Sequence, residues 1–449
     1  MKVRYGLLAM VALFAIVLTA SAQTPAPAFF YMEVPKDGRI YVFADPDIYK
    51  GFSETGTLGT GMSRIGEGPN GETLMFDSEA AFHLYRFKHN LPDEVIPHAP
   101  PAPPKEPEKS PWKFSGLMFG DYFYNTSRDP NIALLPNVAT PGAEKLNGFQ
   151  FRRIYFTFDD TISEHFTTRF RLEADQASLT NNNKVTVFVK DAWLYWKNIS
   201  GNKLDMYFGF YPTAAYDISE TAWAYRSLEK TIMDLRGVVP SRDLSAGVKG
   251  RLDDEGKWNY WFAVGNNSGN SPEADKFKRV YFNFWGKPTP EFQFTVYFDY
   301  RAGQIPNPND ITKNIDNNGT VFAGFANYHN KDNKWSVGAE VYRRTADNGY
   351  IALGAVPAAV LADRTDNGES FWAWANFNPK VGVVGRFDIF EPNKDVSGDK
   401  RNLFIAALVL KPYKSVWIMP NVEVESYEDK SGVSFDNSVT PRITLYWSW

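Results

Sequence analysis

From Trp112 to Trp449 apolar and polar positions alternate again and again. The segment Val439–Trp449 reads VTPRITLYWSW: Val439, Pro441, Ile443, Leu445, Trp447 and Trp449 fall on one side, Thr440, Arg442, Thr444, Tyr446 and Ser448 on the other. A period of two with one wholly apolar side is the mark of a strand with one greasy and one wet face. Phe166–Asp175, Phe292–Arg301, Trp335–Arg344, Val381–Phe390 and Val416–Glu425 repeat the pattern. Charges recur on their polar sides, and Arg or Lys on a lipid face costs roughly 2–4 kcal/mol at mid-membrane, so those sides must face water. Sixteen such segments of about nine to thirteen residues follow one another, the length that crosses a membrane when tilted. Short connections near 160–164, 198–203, 253–256, 286–291, 330–333, 378–379 and 411–415 alternate with long ones. The long ones lie near 125–147, 176–183, 212–242, 266–276, 302–318, 345–368, 391–400 and 427–437.

The fold expected is all-β: a 16-stranded antiparallel transmembrane β-barrel. An even strand count with short turns at one end and long loops at the other fits an outer-membrane barrel. Closure satisfies every backbone group in lipid, and sixteen strands leave room for water inside. A secreted β-sandwich also alternates, but it predicts neither this rhythm nor a sustained aromatic outer face.

What precedes residue 112 is different. Lys2 and Arg4, the apolar run Gly6–Thr19 and Ala20-Ser21-Ala22 make residues 1–22 a signal peptide. Its apolar run is too short for the roughly twenty residues a membrane helix needs. Residues 23–96 read as a small module of unreadable role: strands Phe29–Val34 and Arg39–Phe43 about a Pro35–Gly38 turn, loops over the glycine-rich 51–71, and a helix within Ser78–His89. Residues 97–111 are a proline-rich linker, a semi-rigid spacer that could carry the module to the cell wall, peptidoglycan included. Aromatics at 16% alongside a slightly polar mean hydropathy suit a barrel and exclude a bundle of membrane helices. A net charge of −4 gives no reason to expect nucleic acid, and the absence of cysteine removes disulfides and thiolate metal sites.

The third long connection, 212–242, carries too many charges to lie on lipid, so it caps the mouth or folds inward, with a short helix in its middle. The tract Gly209-Phe-Tyr-Pro212, then Tyr225-Arg226-Ser227-Leu228-Glu229-Lys230, then Ser241-Arg242-Asp243-Leu244-Ser245-Ala246-Gly247-Val248-Lys249-Gly250 resembles the phosphate-selective porin O and P family, as does Gly148–Tyr155 with Phe170–Asp175. The resemblance covers 112–449 only. It implies a homotrimeric outer-membrane porin of a Gram-negative-type bacterium, set in outer-membrane lipid, whose third loop narrows the pore. It also implies that the aromatic end, Trp447 and Trp449, is read by the barrel-assembly machinery, although Trp449 stands where that family has phenylalanine.

The resemblance places Glu220, Tyr225, Arg226, Glu229, Lys230, Asp234, Arg236 and Arg242 at the constriction. Alternation alone puts Arg169, Arg171, Glu173, Lys249, Arg251, Arg386, Asp388, Glu423 and Arg442 on the lumen. Arginine and lysine are there matched by carboxylates, and no dense basic cluster of the kind phosphate selectivity would want stands out. Phosphate specificity is therefore not carried over. An outer-membrane hydrolase would need a Ser–His pair. Of five histidines, His83, His89 and His98 precede the barrel, and His165 and His329 fall at short turns with no distinctive partner. Asp310–Asn318 lacks regular calcium spacing. The expectation is a passive channel for small hydrophilic solutes or ions, neither an enzyme nor dependent on a cofactor or metal. The alternative is a structural anchor for the 23–96 module.

Overall fold

The computed structural model describes residues 30–96, 112–132, 143–201, 203–353 and 358–449, which form two compact units. The expected signal peptide, the expected proline-rich linker and part of the first long loop lie outside these residues.

The smaller unit holds β1 (Met32–Lys36), β2 (Arg39–Phe43), α1 (Pro46–Thr55), β3 (Met62–Arg64), β4 (Thr73–Phe76) and α2 (Glu79–Lys88). Asp37 and Gly38 take φ of 51° and 72° in the first turn. Ser78 caps α2 by accepting from the Ala81 N–H, the expected N-cap chemistry. The glycine-rich stretch is more than loop: α1 runs to Thr55 and closes on Gly56 in the left-handed region, and β3 follows. The sheet order is β1-β2-β4-β3, with β2 and β4 parallel. Two ββα units are thus laid side by side, and their central strands, Gly38–Phe43 and Gly71–Phe76, read GRIYVF and GETLMF. The helices cover opposite faces: Phe52 of α1 packs on Tyr41 and Phe43, while Phe82 and Tyr85 of α2 pack on Val42, Leu74 and Phe76.

The larger unit is a closed sixteen-stranded antiparallel barrel. Its strands are β5 (Lys113–Tyr124), β6 (Asn147–Thr161), β7 (Phe166–Ala174), β8 (Phe188–Trp196), β9 (Asp205–Pro212), β10 (Arg242–Arg251), β11 (Trp258–Gly265), β12 (Arg279–Gly286) and β13 (Phe292–Arg301). A surface hairpin, β14 (Gln304–Asn307) and β15 (Asp310–Asp316), intervenes. The wall then continues through β16 (Gly319–His329), β17 (Trp335–Leu353), β18 (Val360–Asn378), β19 (Val381–Glu391), β20 (Arg401–Tyr413), β21 (Val416–Tyr427) and β22 (Ser438–Ser448). β22 closes on β5, with Arg442 opposite Phe123 and Ser448 opposite Leu117. Along β22, Pro441, Ile443 and Leu445 face outward and are exposed, while Thr440 and Thr444 are buried inside.

The long–short rhythm holds with one correction. Most of 345–368 is strand: β17 and β18 run on as a ladder to Leu353 and Val360. Asp347-Asn348-Gly349 looks like a turn in sequence but sits at a register shift, where Asn348 takes a φ of 51°. A bulge uses the same turn-prone residues without ending the strand. The acidic stretch at 310–316 is likewise strand β15, not free loop.

Candidate functional site: the third loop inside the barrel

The connection from β9 to β10 lies against the inner wall. It holds α3 (Asp217–Trp223) and α4 (Ile232–Leu235). One side packs Ala214, Tyr216, Ile232, Met233, Val238 and Val239 on Tyr281, Tyr297, Val321 and Tyr342. Further along, Trp223, Tyr225 and Leu228 pack on Trp372, Val384, Val409 and Met419. Each fully buried side chain of this kind contributes about 1.5–3 kcal/mol, which keeps the loop on the wall.

Its backbone carbonyls are met by inward-pointing side chains of the wall. Asn283 donates to Ala214 O at 2.5 Å and Arg344 to Gly237 O at 2.9 Å. Arg386 donates to Lys230 O while its guanidinium also forks onto Asp388 at 2.8 and 2.5 Å. Ser219 donates to Glu340 at 2.7 Å. Arginine suits this work because five N–H donors can hold a carboxylate and a carbonyl at once.

The loop residues expected at a constriction are brought together in part. Arg226 lies between Glu220 at 2.6 Å and Asp234 at 2.7 Å, and donates to the Tyr155 hydroxyl of β6 at 3.2 Å. Burial pushes the Asp234 carboxyl up, but Arg226 first and Lys230 second outweigh it and hold it below the usual range. Glu229 accepts from the Lys230 N–H and lies 3.9 Å from Arg152. Tyr225 is buried against Trp374 and Trp417. Arg236 pairs with Glu425 at 3.1 Å, away from the Arg226 cluster. Arg242 pairs with Asp191 of β8.

On the wall, Arg169 pairs with Asp159 at 2.6 Å and Arg171 with Asp191 at 3.1 Å. Glu423 pairs with Arg442. Lys249 donates to the Tyr211 hydroxyl at 3.0 Å and lies 4.6 Å from the Trp261 ring. Arg251 is exposed at the end of β10. Trp449 forms both backbone bonds with Gly116 and is half exposed, and Trp447 stands opposite Val416 in the ladder.

Strict alternation misses Arg152, Arg153, Lys190 and Tyr155 on the wall. In β6 the register slips so that Phe119 faces Arg153 and Gly120 faces Phe151, leaving Arg152 as an extra residue. In β8, Arg171 faces Asp191 and Leu172 faces Val189, leaving Lys190 extra. Each bulge turns two consecutive residues inward, which is how bulges re-aim side chains. Arg153 and Lys190 both hold buried Glu173, at 2.8 and 2.9 Å. Tyr155 hid because an inward tyrosine carries no charge signal. Neighbouring charges inside a strand, Arg152-Arg153 and Lys190-Asp191, were the available clue: strict alternation would put one of each pair in lipid.

Beside the loop's return leg, Gly237–Pro240, a cavity of about 460 Å³ is lined by Arg279, Arg301, Arg344 and Arg364 together with Asp366. Among the described residues no group of three His, Asp or Glu could hold a metal ion.

The closed barrel superposes on solved outer-membrane barrels. The fold is that of the outer-membrane porins. OprB of Pseudomonas putida superposes with a TM-score of 0.55 at 10% identity, over 75% of this chain and 94% of that one. An anion-selective porin from Comamonas acidovorans gives 0.52 at 10% identity, over 76% and 100%. Salmonella typhi OmpF gives 0.52 at 15% identity, over 75% and 97%. No family model and no curated protein matches the sequence.

Proposed function

We propose that the protein is an outer-membrane porin, a passive diffusion channel for small hydrophilic solutes or ions, narrowed by its third loop. The observation that carries this reading is the charged loop edge Glu220–Arg226–Asp234, held inside the barrel and facing Tyr155 and the charged wall of β6 to β8. Charges in a solvated passage sieve solutes by width and sign. Porins are the solved structures it superposes on, which supports the same reading. In this reading residues 1–22 direct export, the outer face meets lipid, Trp447 and Trp449 guide assembly, three copies associate, and the 23–96 unit lies in the periplasm.

Purified protein in a planar bilayer should give discrete current steps, and a silent, correctly folded barrel would sink the proposal. Neutralising Arg226, Lys230 and Arg236 together should move the reversal potential in a salt gradient toward cation preference. An unchanged potential would remove the third loop from the conducting path.

A further inference from the structure

The two bulged strands do more than add charge to the wall, because each extra residue takes hold of the third loop. Lys190 donates to the Ser241 hydroxyl at 3.0 Å, next to the loop's return into β10. Arg152 reaches the opposite part of the loop, its tip: one nitrogen donates to Leu228 O at 2.8 Å and the other to Ser227 O. The guanidinium is itself anchored, its Nε 2.8 Å from the fully buried side chain of Asp121 on β5. One turn of the pleat away, Tyr155 gives its hydroxyl oxygen to Arg226 of the same tip, and to Arg153 at 3.0 Å. Glu220 and Asp234 hold Arg226 from the loop side.

We propose that β6 is a clasp: Arg152 and Tyr155 are positioning residues that pin the third-loop tip at Arg226–Leu228, and so set the width and selectivity of the passage. The proposal rests on the channel reading above. Its physical ground is the geometry of release. Moving the tip off β6 leaves two consecutive carbonyls without Arg152 and leaves the Asp121 carboxylate facing a guanidinium with idle donors, and buried polar groups without partners are costly. The bulge is what makes the clasp possible: Arg153 already occupies the inward position, so a second inward arginine needs the extra residue. Gly120 lets the strands close on it, since a Cβ there would meet Gln150 O at 2.3 Å and Phe151 Cα at 2.8 Å. Were Arg152 only a counter-ion for Asp121, its loss would lower stability and leave the current alone.

The full-length protein in planar bilayers separates these outcomes. Tyr155→Phe keeps the ring and removes the hydroxyl; Arg152→Met with Asp121→Asn removes the carbonyl grip without stranding a buried carboxylate. If the tip is clasped, unitary conductance rises by about two-fold in the double variant and less in Tyr155→Phe, with added flicker and a larger polyethylene glycol exclusion size. Heat-modifiable gel mobility checks that each barrel is folded, and if the double variant fails that check, Tyr155→Phe decides alone. Folded variants with wild-type conductance, flicker and exclusion size overturn the clasp while leaving the channel reading intact. Silence of the folded wild type overturns the channel reading and the clasp with it.

Discussion

Asp399, on the connection between β19 and β20, is 4% exposed and lies near two other carboxylates, Glu391 and Glu428. Burial first, then Glu391 and Glu428, push its carboxyl up to about 6. An acid whose folded value is raised gives stability that is fully present below its unfolded value, about 3.9, and lost as pH rises through the folded one. At pH 7 the ionised group therefore works against the packing of this connection. Asp399→Asn should slow hydrogen exchange of amides 392–400 by roughly three- to ten-fold at pH 7, with the gain vanishing near pH 4. Equal exchange at both values would mean the carboxylate is solvated. Single residues were legible in the sequence where a charge sat alone on a strand's polar side, as Arg169, Arg386 and Arg442 do. Much less legible was what such a charge would do. Arg386 and Arg344 spend donors on the third loop's backbone, and which carbonyls they meet depends on contacts between residues more than a hundred positions apart.

Strands were legible because period two is local. The third loop's two short helices were only half legible: α3 and α4 are seven and four residues long, and helices that short are marginal without the tertiary packing that here comes from the wall. Bulges broke the reading in β6 and β8, since one extra residue reverses which side every later position faces. Gly120 is the test at this scale. Ala at that position should destabilise the barrel by roughly 1–3 kcal/mol through overpacking against Gln150 and Phe151, seen as a lower urea midpoint. An unchanged midpoint would mean that the β5–β6 pairing relaxes freely. At 347–349, turn-prone residues misdirected the reading, because the sequence D-N-G serves a bulge in a ladder as well as the turn of a hairpin.

At the scale of the molecule, two units with separate cores raise the question of which one the protein exists for. Each face of the small sheet has its own buried cluster, so the unit has a core of its own. On the channel reading, deleting 23–111 should leave unitary conductance within about 20% of the intact protein, because side chains of the barrel wall hold the third loop. A large change would make the small unit part of the conducting path. Retention of peptidoglycan by the intact protein but not by the deleted one would favour the anchoring role. The barrel was legible almost whole because lipid and closure leave few alternatives. The duplicated ββα unit was not, because its repeat is short and its two strand pairs meet through a parallel contact.

The seam between β22 and β5 also bears on how the protein is made. Thr126 bonds to Val439 across 313 residues of chain, so the first wall strand waits for the last. Pairing at that separation is slow to find. Until residues 438–448 arrive, every partial sheet carries two raw edges able to recruit strands from another chain. A chain stopped short of them is not a smaller barrel but an open, adhesive sheet. The timing of one strand thus separates assembly from aggregation.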